Sequence, residues 1–148
     1  MTSTSKQVYW MNGITKVVLS FASFLIGGFI YLCYRPTTLR MFEWSRILGL
    51  DNSIKNLRRH ASNFSFGDFF IYCLPDGLWV TSYILIVDYI WTGNRKDQKL
   101  LCGILPAIGI VLELLQAVDI VSGTFDVFDI LCYAIPYFIY LTFKSLQK

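Results

Sequence analysis

The sequence predicts an all-α integral membrane protein: one domain over 1–148, a bundle of four transmembrane helices with a basic amphipathic loop between helices 1 and 2. Three observations lead there. Of the 148 residues 55% are hydrophobic and only 16% charged, with a mean hydropathy of +0.51, which is too apolar for an ordinary soluble domain of this length. Four stretches, approximately 17–34, 69–91, 100–118 and 125–143, carry no more than two charges each, and each is long enough to cross about 30 Å of hydrocarbon. The net charge of +3 is distributed between those stretches rather than gathered in one block. That pattern suits anionic lipid head groups, and no nucleic-acid motif is present.

The first run, Val17 to Tyr34, is eighteen uncharged residues. It exceeds a usual signal-peptide core and no small-x-small cleavage site follows, so it is expected to stay as a transmembrane helix. Ser20, Ser23 and Gly27 recur at i, i+3, i+7 and make one face small enough for a neighbouring helix to approach. Arg35-Pro36 ends the run, because proline disfavours helix at the residue before it.

Residues 35–68 form the one long connection. Arg40, Glu43 and Arg46 fall at i, i+3 spacing, Gly49 can close a short helix, and Asp51 can cap a second through Arg59. With Trp44 and the arginines Arg40, Arg46, Arg58 and Arg59, this loop is expected to lie in the head-group plane and contact lipid. His60, the single histidine, sits among these arginines and reads as a surface residue.

The second run, Phe69 to Trp91, holds the segment LPDGLW at 74–79. Pro75 removes a backbone donor and frees the carbonyl of Ile71, so Asp76 lies where polar groups can converge. The alternative is that Asp76 caps a helix beginning just after Pro75. Asp88, beside Trp91, is expected at the membrane interface. A polar link at 92–99 with Arg95, Lys96 and Lys99 leads to the third run, whose only charge is Glu113 and which contains Pro106. The fourth begins with Asp126 and Asp129 and contains Pro136. The link has three basic residues and the turn at 119–124 none, so the positive-inside rule puts both termini and the link in the cytoplasm. Lys6, Lys16, Lys144 and Lys148 add to that side, against six basic residues in the long loop.

Cys33, Cys73, Cys102 and Cys132 all lie in apolar runs without CxxC spacing, which argues for packing and against zinc or a disulfide framework; neither a metal nor another cofactor is expected. Phosphate-loop, HExxH and GxSxG motifs are absent from the sequence, so the common hydrolase and nucleotide-binding classes lack their residues. The concentrated chemistry is the stretch Glu113 to Asp129, where Glu113 pairs with Gln116 and Asp126 with Asp129 at i, i+3. A carboxylate inside a membrane is expensive, at roughly 2.5–3.5 kcal/mol for an aspartate at mid-membrane, so these groups should turn inward. The third and fourth runs must be antiparallel neighbours, and the second runs back from the long loop. Asp76, Glu113, Gln116, Asp126 and Asp129 are therefore expected to form one polar site at one depth.

Glu113-x-x-Gln116, a short gap, then Phe125-Asp126-x-x-Asp129 resembles the C-terminal signature of the VanZ-like membrane proteins, a family named for a protein associated with low-level teicoplanin resistance. The likeness covers about 70–143 in outline and is motif-like over 113–129. Members typically carry an arginine before the aspartate pair and an asparagine and glycine after it; here Thr124, Tyr133 and Pro136 stand at those places, as in a divergent branch. The resemblance implies a bacterial cytoplasmic membrane protein of the cell envelope. The expected function is binding of an amphiphilic envelope molecule or partner through the carboxylates, without a committed catalytic role. Two other classes compete: a small proton-coupled transporter using Asp76 and Glu113, which with four spans would need to form a homo-oligomer, and an intramembrane enzyme acting on a lipid or polyprenyl phosphate.

Overall fold

A computed structural model describes residues 11–146 as an all-helical bundle. Helix α1 spans Gly13–Tyr34. It begins four residues before the uncharged run because Asn12 caps it, its Oδ1 accepting from the Thr15 amide at 2.7 Å. Lys16 is thereby drawn into the first turn. At the other end Arg35 is extended ahead of Pro36, and its amide closes the helix on the Tyr31 carbonyl at 3.1 Å.

Two short helices fill the long connection, α2 at Arg40–Ile47 and α3 at Asp51–Ala61. Gly49 joins them at φ 73°, with Leu50 and Gly49 amides bonding back to the Ser45 and Arg46 carbonyls. This is the left-handed helix ending that glycine permits. Asp51 does not cap α3; it is the first helical residue and pairs with Lys55 at 2.6 Å. α3 packs on α1, where Arg58 donates to the Leu32 carbonyl at 2.7 Å and Tyr34 donates to that of Ala61 at 3.2 Å.

The second long helix runs without a break from Phe69 to Ile90. Its first turn, Phe69–Cys73, is a wide π-type turn, and α4 proper is Leu74–Ile90. The Leu74 amide reaches five residues back to Phe69. A proline at position 75 clashes with the carbonyl four residues earlier in a regular helix, and a widened turn relieves that clash. Asp76 consequently lies in the first turn of α4 but does not start the helix, so the capping alternative does not hold.

Asn94 caps α5, Arg95–Ala117, by accepting from the Lys96 amide at 3.1 Å. Asp126 caps α6, Val127–Leu146, accepting from the Phe128 amide at 2.8 Å. Four of the helical segments, 13–34, 69–90, 95–117 and 127–146, are long and apolar enough to cross a membrane. Such a set marks a multi-pass membrane protein.

α4 is the central element. α1 packs along one side of it, α5 and α6 along the other, and α5 packs on α6. Val80, Ile84, Cys102 and Tyr140 form the buried core between α4, α5 and α6. Small residues set the approach of α1: Ser20 donates to the Ser82 carbonyl at 2.9 Å, and a β-carbon on Gly27 would lie 2.9 Å from the Trp79 indole nitrogen. The Ser20–Gly27 face is thus a packing face, in keeping with helix contacts that rely on close backbone approach and not on the hydrophobic effect. Large apolar side chains such as Phe21, Phe24, Leu25 and Phe29 point outward from α1.

Candidate functional site

Chain direction decides what meets. α1 ends, the Phe69–Cys73 turn begins, α5 ends and α6 begins at the same end of the bundle. The acidic residues of three helices therefore converge there. Glu113, buried at 6% exposure, accepts through Oε2 from the Asp126 amide at 3.3 Å. This bond ties the end of α5 to the start of α6. Asp126 then presents its other oxygen to Cys73, whose thiol donates to Oδ2 across 3.8 Å. Asp129, one turn further into α6, has its Oδ1 buried and without a hydrogen-bond partner among the described residues.

Asp126, Asp129 and Cys73 line an open cleft of about 650 Å³, together with Arg35, Asp68 and the rings of Phe69, Tyr72 and Phe128. Arg35 is held firmly at its edge. Its guanidinium donates to the Tyr72 carbonyl at 3.0 Å, lies 4.9 Å from the Tyr72 ring centre and 5.3 Å from that of Tyr31, and comes within 3.9 Å of Asp76. Cation–π contacts on two rings fix the plane of the guanidinium.

Of the five residues expected to form one polar site, Asp126 and Asp129 line the cleft; Asp76 adjoins it through Arg35 at 3.9 Å, and Glu113 through the Asp126 amide at 3.3 Å. Gln116 is at the same end but serves the turn, where its amide packs so closely on Gly123 that a β-carbon there would meet Oε1 at 2.5 Å. Among the four loop arginines, Arg40, Arg46 and Arg59 are exposed, whereas Arg58 is taken up by the Leu32 carbonyl and by the Phe42 ring 5.4 Å away.

Three residues of the site were not anticipated. In the sequence Arg35 is only a helix stop, yet its place at the end of α1 puts it beside the start of the second span. Cys73 is buried, as its apolar run implies, but its thiol also touches Asp126. Asp68 joins them because the π-type turn starts directly after it. Cys73, Asp126 and Asp129 place one thiol and two carboxylate donors within 4.8 Å of one another. Sulfur in that set favours a softer cation such as zinc over magnesium. CxxC spacing is a local signal and is blind to donors that belong to two helices.

The opposite end of the bundle holds a second polar cluster. Asp88, expected at the interface, is 4% exposed and accepts from Lys16 of α1 and Lys144 of α6, each at 2.6 Å and each on a different oxygen. Tyr140 donates to its Oδ1 at 3.0 Å, and Gln98 of α5 donates to its backbone carbonyl at 3.0 Å. All four long helices thus meet at one residue.

No protein-family model matches this chain, and no curated protein or solved structure matches it. The class is defined by the fold alone: a small α-helical membrane bundle with an acidic cleft at one end and a buried ionic cluster at the other.

Proposed function

We propose that the protein is a VanZ-like envelope protein of the bacterial cytoplasmic membrane, with both termini in the cytoplasm, and that its acidic cleft binds the polar head of an amphiphilic envelope molecule. The observation that carries this reading is the composition of the cleft: Asp68, Asp126 and Asp129 beside a single clamped guanidinium, Arg35, with three aromatic rings around them. Carboxylates in excess over cations favour a head group bearing an amine, and Arg35 gives an anionic group on the same molecule a cationic partner. Asp129 Oδ1 is buried without a donor among the described residues, and a bound amine would satisfy it. The aromatic side chains accept the apolar part at the membrane surface. Arg40, Arg46 and Arg59 on α2 and α3 are exposed and attract anionic lipid, at about 1 kcal/mol each near the surface.

The transporter reading has less support. Asp76 and Glu113 lie near one another, but the carboxylates gather at one end of the bundle and Asp88 at the other is locked between two lysines. The test is to purify the full chain from a bacterial membrane and identify co-purifying amphiphiles by mass spectrometry, for wild type, Asp126→Asn/Asp129→Asn and Arg35→Gln. The expected result is an amine-headed amphiphile retained by wild type and depleted at least tenfold in the double variant, with a parallel fall in teicoplanin tolerance of the expressing cells. An identical set of retained molecules in all three would overturn the reading.

A further inference from the structure

α1 and α6 both lie on α4 but do not pack on each other, which leaves a groove between them. Its floor is Thr81, Ile84 and Leu85 of α4, with Leu19 on one wall and Ile139 on the other, and it measures about 270 Å³. On α4 the groove follows the helix from Thr81 to Leu85, about 6 Å of helical rise. Tyr140 lines it and touches the ionic cluster directly, donating to Asp88 while its ring lies 5.8 Å from the Lys144 ammonium. An apolar channel open to the bilayer therefore ends on charged groups.

Among the described residues the charge of that cluster is unbalanced: two ammoniums face one carboxylate, on lysine side chains only 13% and 10% exposed. Each ammonium has three protons, and among the described residues each gives one hydrogen bond, to Asp88. A partly buried cation in excess is unfavourable unless an anion joins it. A cationic or zwitterionic occupant does not correct the imbalance; an anionic one does, and its apolar part has a groove to enter.

We propose that Lys16 and Lys144 bind the phosphate of one anionic phospholipid, with an acyl chain lying in the groove between α1 and α6. This site is at the end of the bundle opposite the acidic cleft and does not depend on what that cleft binds. Such a lipid joins α1 to α6, the two helices that share only α4 and Asp88.

The experiment is native mass spectrometry of the full chain in detergent, titrated with phosphatidylglycerol, with phosphatidylcholine and with inorganic phosphate. Wild type is expected to keep one phosphatidylglycerol at least tenfold more tightly than phosphatidylcholine. Lys16→Gln and Lys144→Gln should each lower that preference at least fivefold. Because a lysine change disturbs Asp88 as well, a second variant leaves the cluster intact: Ile139→Trp, at a half-exposed wall position, fills the groove and should weaken phosphatidylglycerol binding at least fivefold. Equal retention of both lipids by wild type would overturn the proposal. So would inorganic phosphate competing fully with the lipid while Ile139→Trp has no effect, since the site would then be one for free phosphate. Recovery of a lipid-free dimer would overturn it too, by placing a second copy of the chain on the groove.

Discussion

Replacing Asp88 by asparagine removes the negative charge that two lysines share. The amide keeps the shape of the side chain, so packing around Tyr140 and Gln98 is little disturbed, and the effect is electrostatic. Breaking a buried pair by deleting one partner costs about 3–5 kcal/mol, because the remaining charge is left without compensation. Here two charges are left. Their ammoniums bind the two oxygens of one carboxylate, at 2.6 Å each; at a separation of roughly 5 Å and an effective dielectric near 20 they repel by about 3 kcal/mol. Asp88→Asn is therefore expected at the upper end of that range. Lys16→Gln or Lys144→Gln behaves differently. Either loses one charge-assisted hydrogen bond, about 1.5–3 kcal/mol, but relieves a repulsion of similar size and leaves a neutral pair. Each single lysine variant should then lie within about 1–2 kcal/mol of wild type on the same reasoning. Replacing all three together, Lys16→Met, Asp88→Leu and Lys144→Met, should be neutral or stabilising by about 1–4 kcal/mol. The assay is unfolding in mixed detergent micelles, followed by tryptophan fluorescence at fixed lipid content. If Asp88→Asn costs less than either lysine variant, the ammoniums do not depend on Asp88 and the electrostatic account fails.

Two further predictions follow from packing and chain direction. Gly27→Ala should lower stability by about 1–3 kcal/mol, since its β-carbon would meet the Trp79 indole at 2.9 Å and the Pro75 carbonyl at 3.2 Å; Gly28→Ala, with open space around it, should be neutral or slightly stabilising, and equal effects at the two positions would refute this packing of α1 on α4. Cysteines introduced at Ser53, in α3, and at Asn94, before α5, should label from opposite sides of the membrane with an impermeant maleimide, over a low background because the four native cysteines are buried. Labelling of both from one side would be incompatible with four spans, and labelling of Asn94 from outside would reverse the proposed orientation.

Four long apolar helices and their alternation along the bundle were legible in the sequence because each depends on a local quantity: the length of an apolar run, a proline, a cap, a short turn. The gathering of Asp76, Glu113, Asp126 and Asp129 was legible for the same reason, since alternation of direction and one tight turn place those residues at one end whatever the rotation of the helices. Rotation about each helix axis is what the sequence left open. Whether Asp88 meets the interface or the bundle interior depends on facing Lys16 and Lys144, which are 72 and 56 positions away in the chain. Both lysines looked like flanking charges until Asn12 lengthened α1 and α6 ran on past Phe143. The same holds for Arg35 and Cys73, which line the acidic cleft with Asp126 and Asp129 although Arg35 belongs to the end of α1 and Cys73 to the π-type turn before α4. Helix existence is fixed by hydrophobicity along the chain; which polar atoms become partners is fixed by azimuth, a few tens of degrees of which exchange a lipid-facing residue for a buried one.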